Sequence, residues 1–273
     1  MSALKKLTAA VEAHKSLLCI GLDLDPGRLP SGMGETTAGM AQFAIRIIAA
    51  TADIVAAYKP NLAFYEALGP DGLSLLKLIT SRIPEDTLII LDGKRGDIGN
   101  SAAFYAKALF EFYRADWVTV NPYMGFDSIK PFVEFKGKGA FVLCLTSNPG
   151  ARDFQRLEVN GRPLYYNVAR KVASWNKEGN CGLVVGATYP EQLAEVREIA
   201  EEMPILIPGV GAQGGDLEKA VRGGTEEFTK PAIINVSRSI LYASDGDDFD
   251  KAARAAVEKL NAQINDLKTR SQA

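Results

Sequence analysis

Histidine is almost missing. His14 is the one imidazole in 273 residues, which rules out a two-histidine metal site and leaves a Ser-His-Asp relay or a histidine general base with one candidate. That candidate lies among Glu12, Lys15 and Ser16 at the end of the first helical stretch, where a solvated position is expected. Chemistry must therefore fall to Lys, Asp, Glu, Arg or backbone groups. Cysteine is scarce too: Cys19, Cys144 and Cys181 each sit in an apolar, strand-like run. Their spacing matches no metal motif, and an odd number of buried thiols suits packing residues in a reducing compartment.

Long hydrophobic runs are also lacking, and no stretch approaches the roughly 18 apolar residues of a membrane span. Residues 2–15, with Lys5 and Lys6, read as an amphipathic helix and not as an apolar leader. A cytoplasmic protein is the expectation. Nor is there a basic excess: a net charge of −2 speaks against a general nucleic-acid binder while leaving a small anionic ligand open. Hydrophobic residues make up 47% of the chain, ample for a core and too many for disorder.

What is present is alternation. Short apolar runs at 17–23, 54–59, 87–94, 117–121, 140–146, 182–187, 204–208 and 232–236 are separated by stretches of helical period. In 190–202, for instance, Leu193, Val196, Ile199 and Ala200 share one face. Continuous apolar runs predict strands buried on both sides, and the alternation predicts parallel pairing. Eight such units in this length predict a single-domain (β/α)8 TIM barrel over 1–273, with a C-terminal helix at 248–268 that ends in a frayed tail. A doubly wound sheet is the rival, but no Gly-x-Gly-x-x-Gly follows the first strand.

The strand ends carry polar groups: Asp23-Leu-Asp25, Lys59-Pro-Asn61, Asp92-Gly-Lys94, Asn121-Pro-Tyr123, Thr146-Ser-Asn148, Gly186-Ala-Thr188, Pro208-Gly-Val-Gly-Ala-Gln213 and Ser237-Arg-Ser239. In a barrel these converge on one mouth, where the active sites of the fold lie. Turn chemistry accounts for Gly, Pro, Asn, Asp and Ser, but not for Lys59, Lys94 and Arg238. In Leu88-Ile-Ile-Leu-Asp-Gly-Lys-Arg-Gly-Asp-Ile98 the period of two puts Asp92 and Lys94 on one face. Asp97 lies past the strand, where it could cap a helix running from Asn100.

This segment resembles the signature of the orotidine 5′-phosphate decarboxylase family, in particular its bacterial group with longer chains. Further matches follow in order: Gly21-Leu-Asp-Leu24, Tyr58-Lys-Pro-Asn61, Leu145-Thr-Ser-Asn-Pro-Gly150, Pro208-Gly-Val-Gly-Ala-Gln-Gly-Gly215 and Val236-Ser-Arg-Ser-Ile240. The resemblance implies a cofactor-free and metal-free decarboxylase of pyrimidine biosynthesis. Lys94 would be the proton donor to C6 of the pyrimidine, with Asp92 against the substrate carboxylate. Asp97, with Ile98 beside it, would reach across a homodimer interface into the partner's site. Asp23 and Lys59 would bind ribose hydroxyls, and Ser147, next to Thr146, the pyrimidine amide. Gln213 and Arg238 would hold the 5′-phosphate. The polar, Gly-containing stretch 148–163 is expected to be a loop that covers the site.

Alternatives remain at this point. A magnesium-dependent sugar-phosphate decarboxylase or aldolase shares the Asp-x-Lys-x-x-Asp skeleton, and Schiff-base chemistry at Lys94 is a third enzymatic possibility. A catalytically silent nucleotide-binding barrel is the reading from another class.

Overall fold

The eight apolar runs become eight strands: β1 (Leu18–Gly21), β2 (Ala57–Lys59), β3 (Leu88–Arg95), β4 (Trp117–Val120), β5 (Gly139–Leu145), β6 (Cys181–Val185), β7 (Ile205–Pro208) and β8 (Ala232–Val236). The computed structural model describes residues 1–210, 216–226 and 228–271. All eight strands pair in parallel and close in the order β1-β8-β7-β6-β5-β4-β3-β2, with Cys19 opposite Ala57 on one side and Asn235 on the other. The sheet is therefore a barrel and not doubly wound. Strands such as β6, buried at every position, owe their unbroken apolar sequence to layers on both faces. The second run is shorter than its sequence suggests, because Ala52–Ile54 forms a 3-10 turn before β2 begins.

Two cores result. Inside the barrel, Cys19, Ile90, Trp117, Phe141, Val184, Leu206 and Ile233 fill the bore. The rings of Trp117 and Phe141 lie 4.6 Å apart. A side chain at Gly139 would come within 2.4 Å of the Trp117 ring, so that strand needs glycine where the indole crosses. The floor is α1 (Ala3–His14), whose Ala3, Leu7 and Ala10 join the same cluster. Ser2 caps this helix by accepting the Lys5 N–H, and Lys15 ends it in a left-handed conformation. His14 is not solvated as its polar neighbours suggested. Its side chain is 6% exposed, and Nε2 lies 3.2 Å from the Asp86 carbonyl oxygen and 3.4 Å from Thr87 Oγ1, because α1 packs on the barrel at this end.

The outer core lies between barrel and helices, with Phe43, Tyr65, Phe132 and Phe249 fully buried. Pro190–Ala200 buries Leu193, Val196 and Ala200 as its period requires, but it also buries Arg197. That guanidinium is 2% exposed and donates to the carbonyls of Gly224, Glu201, Met203 and Pro231 at 2.8–2.9 Å. Burial lowers its pKa to about 10, which leaves it charged at neutral pH. It ties the end of this helix to Leu217–Thr225 and to the entry of β8.

The stretch 148–163 holds more structure than a loop. A 3-10 turn at Pro149–Arg152 precedes a small hairpin in which Glu158–Val159 pairs with Arg162–Pro163. Asn160 and Gly161, both with positive φ, make the two-residue turn such a hairpin asks for. Among the described residues, no helix is long and apolar enough to cross a membrane. Cys19, Cys144 and Cys181 are free and buried, and burial pushes the thiols of Cys144 and Cys181 up to about 12.

Candidate active site

The carboxyl ends of the strands open on a cavity of about 570 Å³. Asp23, Lys59, Asp92, Lys94, Thr146, Ser147 and Arg238, seven of the residues singled out from sequence, line it. At its floor Asp92 joins two ammonium groups. Lys59 Nζ lies 2.7 Å from Oδ2, and Lys94 Nζ lies 2.6 Å from Oδ1. The two lysines differ in setting: the Lys59 side chain is 4% exposed and that of Lys94 46%. Burial alone would raise Asp92 toward its neutral form, but Lys59 and then Lys94 more than reverse this and hold it far below the usual carboxylate range. Burial likewise works against charge on Lys59, and Asp92 and Asp23 overcome it, raising the ammonium well above the usual lysine value.

Lys94 does not reach this position by simple alternation. Along the β3–β4 pair, Leu91 faces Val118 while Arg95 faces Val120, so β3 spends two extra residues there. Within that irregularity Lys94 takes φ 44°, a left-handed conformation that costs a residue with a side chain on the order of 1 kcal/mol. Its N–H donates to Thr119 Oγ1 at 2.9 Å, and the same hydroxyl donates to Asp92 Oδ1 at 2.8 Å.

Asp23 stands across the cavity floor. Its Oδ2 accepts from Ser237 Oγ at 2.9 Å, while Oδ1 is buried with no partner among the described residues. A side chain at Gly21 would come within 1.8 Å of that Ser237 hydroxyl, so glycine is required for the pair to form. Asn235 Oδ1, also lining the cavity, is buried and unpartnered as well. Buried acceptors left unsatisfied in a polar cavity are what a hydroxyl-bearing ligand would complete. At the rim, Gln155 from the 148–163 stretch grips Thr146: its Oε1 accepts the Thr146 N–H at 2.8 Å, and its Nε2 donates to Thr146 Oγ1 at 2.8 Å.

Asp97 and Ile98 lie apart from the cavity. Asp97 does not cap the following helix: that helix, Gly99–Lys107, has Ile98 at its N-cap with no side-chain bond, and Asp97 Oδ1 accepts the Ile98 N–H at 2.8 Å. Among the described residues Asp97 forms no ion pair. Ile98 is 58% exposed, and Phe104, Tyr123 and Met124 are exposed too. Gln213 lies outside the described residues. Arg95 and Asn121 are not part of the cavity lining: Arg95 pairs with Glu66, and Asn121 accepts the Tyr123 N–H to hold a turn. The polar lining residues that sequence reasoning missed are Thr119, Asn235, Arg28 and Tyr242. Asn235 gave a signal, a polar residue inside Ala-Ile-Ile-Asn-Val. Thr119 gave none, since threonine is an ordinary strand former.

A closed parallel barrel with fixed opposite charges and unpaired acceptors at its C-terminal mouth defines a barrel enzyme, with its site where this fold carries catalysis. Residues 16–255 match the orotidine 5′-phosphate decarboxylase / HUMPS family. The chain is 50% identical over 257 residues to an orotidine 5′-phosphate decarboxylase of Herpetosiphon aurantiacus, covering 93% of this chain and 95% of that one. It is 48% identical over 266 residues to an orotidine 5′-phosphate decarboxylase of Ralstonia pickettii, covering 97% and 98%. Among solved structures it is similar to the OMP decarboxylase of Leishmania donovani, with a TM-score of 0.86 and 38% identity over 98% of this chain and 99% of that one. The UMP synthase of the same organism aligns with a TM-score of 0.89 and 40% identity, over 98% of this chain and 57% of the longer one. The chain belongs to the orotidine 5′-phosphate decarboxylase / HUMPS family.

Proposed function

We propose that this chain converts orotidine 5′-phosphate to uridine 5′-phosphate and carbon dioxide, the decarboxylation step of de novo pyrimidine biosynthesis, without a cofactor. The observation that carries the reading is the buried Asp92 bridging Lys59 and Lys94 on the cavity floor, in a chain whose relatives bear that activity in their names. Breaking the C6–carboxylate bond leaves an electron pair in an sp² orbital that the ring cannot delocalise. A fixed ammonium stabilises that charge and then delivers its proton to C6. Lys94, the more open of the two lysines, has the access this requires, while Lys59 and Asp92 fix the field around it.

Asp23, with Oδ1 free, and Lys59 take the ribose hydroxyls. Ser147, beside Thr146, meets the pyrimidine amide, and Arg238 at the rim binds the 5′-phosphate with Gln213. The phosphate, remote from C6, supplies binding energy for orienting the base. The hairpin stretch 148–163, anchored through Gln155, is a cover over the bound nucleotide. The chain acts as one barrel domain and as a homodimer. The exposed Ile98, Phe104, Tyr123 and Met124 form the apolar part of the contact, and Asp97, with no ion pair among the described residues of its own subunit, completes the partner's charge array. Three free, buried thiols suit a cytoplasmic enzyme.

The test is turnover of orotidine 5′-phosphate in EDTA, followed as loss of the orotate chromophore. Full activity is expected. Activity restored only by magnesium would transfer the chain to the sugar-phosphate branch of the family.

A further inference from the structure

We propose that Thr119 is a positioning residue for the acid, setting both the backbone and the carboxylate that aim Lys94. This inference rests on Lys94 being the proton donor. The Thr119 hydroxyl is buried on β4 and lines the cavity. One oxygen does two things there: it accepts the Lys94 N–H at 2.9 Å and donates to Asp92 Oδ1 at 2.8 Å. That Oδ1 is the same atom that receives Lys94 Nζ at 2.6 Å. Thr119 therefore closes a ring through Lys94's own main chain, Asp92 and Lys94's ammonium.

The ring sits where the β3–β4 register slips between Leu91 and Arg95. Lys94 is left-handed, with φ 44°, and its N–H finds its acceptor in the side-chain hydroxyl of Thr119. A conformation that side chains avoid persists only when its surroundings determine it. Here the hydroxyl holds the Lys94 N–H and the Asp92 carboxylate at once. Without it, Lys94 can relax toward an ordinary extended conformation, which swings the ammonium off the line to the reacting carbon. Asp92 also loses a donor and is freer to turn toward Lys59. Misplacement on this scale strikes the chemical step harder than nucleotide binding, because the groups that hold ribose, base and phosphate lie on other strands.

The experiment compares Thr119→Val, Thr119→Ala and Thr119→Ser with the wild-type enzyme. Loss of the hydroxyl is expected to lower kcat about 10- to 100-fold while KM for orotidine 5′-phosphate stays within about threefold. Thr119→Ser keeps the oxygen and is expected to hold kcat within about threefold of wild type. Thr119→Ala should behave as Thr119→Val, so a valine variant that folds poorly does not decide the matter. A Thr119→Val or Thr119→Ala enzyme with unchanged kcat overturns the proposal, as does a serine variant as slow as valine, which would mark a packing role. A crystal structure of Thr119→Val gives a readout independent of turnover. Lys94 is expected to leave its left-handed conformation, and Lys94 still left-handed with Nζ on Asp92 would overturn the proposal. If wild-type protein fails to decarboxylate orotidine 5′-phosphate, the functional reading falls by itself, and the crystal structure still decides the role of Thr119.

Discussion

Two buried aspartates stand between pairs of lysines, one at each end of the barrel. At the mouth, Asp92 of β3 holds Lys59 and Lys94. At the floor, Asp116, immediately before β4, takes Lys6 of α1 at 2.6 Å and Lys138 at 3.3 Å through one oxygen. By composition they are the same device. They differ in what is left unfinished around them. The second Asp116 oxygen accepts the Ile89 N–H at 3.0 Å, and of its lysines Lys6 comes from α1, which closes the bore, and Lys138 from the turn just before β5. Around Asp92 the backbone of Lys94 is left-handed, and two acceptors lining the cavity, Asp23 Oδ1 and Asn235 Oδ1, have no partner among the described residues. A charge triad with every group paired fixes structure; one set among strained and unpaired groups faces a ligand.

Exchanging the insult between the two ends gives the largest contrast. Asp92→Asn is expected to lower turnover of orotidine 5′-phosphate by about 10³-fold, because it removes the charge that orients both lysines. Asp116→Asn should leave kcat unchanged. Steady-state kinetics on the pair would break the comparison if the two variants were equally slow. On the proposed homodimer, Asp97→Ala is expected to lose about 10²-fold through the partner's site. Mixing inactive Lys94→Ala with Asp97→Ala should restore up to about a quarter of wild-type activity, since half of randomly formed dimers rebuild one intact site. No recovery on mixing would place Asp97 in its own subunit's chemistry or outside it.

Smaller effects fall on stability. Arg197→Ala strands four carbonyls and should cost about 3–5 kcal/mol in urea unfolding, with kcat retained in the folded fraction. Asp116→Asn should cost about 1–3 kcal/mol by the same measurement. The last prediction is of no change at all. Asp92 is depressed, so its stabilisation is complete above the unfolded value of about 3.9 and is lost only as pH falls through the lower folded value. Lys59 is raised, so its contribution is complete below about 10.4 and is lost as pH rises through the higher folded value. Between about pH 5 and 9, the stability difference between wild type and a double variant that removes both titrating groups, Lys59→Met with Asp92→Asn, should stay flat. A slope in that window would show that one of the pair titrates there.

Much of this was legible from residues alone. The eight strands were visible because each is buried on both faces, and their polar ends were visible because a parallel barrel gathers them at one mouth. Asp23, Lys59, Asp92, Lys94, Thr146, Ser147 and Arg238 all lie where that logic places them. The failures have physical causes. Period-two alternation put Asp92 beside Lys94, but the contact depends on a register slip and a left-handed lysine that no residue pattern announces. Arg197 falls on the buried stripe of its helix with Leu193, Val196 and Ala200, but its charge argues for solvent, and the carbonyls of Gly224 and Pro231 that help to satisfy it come from segments distant in sequence. His14 has solvent-loving neighbours and is nevertheless covered, because a terminal helix folds back onto the barrel floor. Thr119 could not be singled out, since its role arises only when β4 meets β3.

The most direct measurement is made on Lys94→Ala. The ammonium is assigned to the reacting carbon and not to holding the nucleotide, so turnover of orotidine 5′-phosphate should fall by at least about 10³-fold. Affinity for uridine 5′-phosphate should change by less than about tenfold, as the groups assigned to ribose, base and phosphate remain. Turnover that survives, or affinity that falls in step with it, would contradict the assignment of Lys94 as the acid.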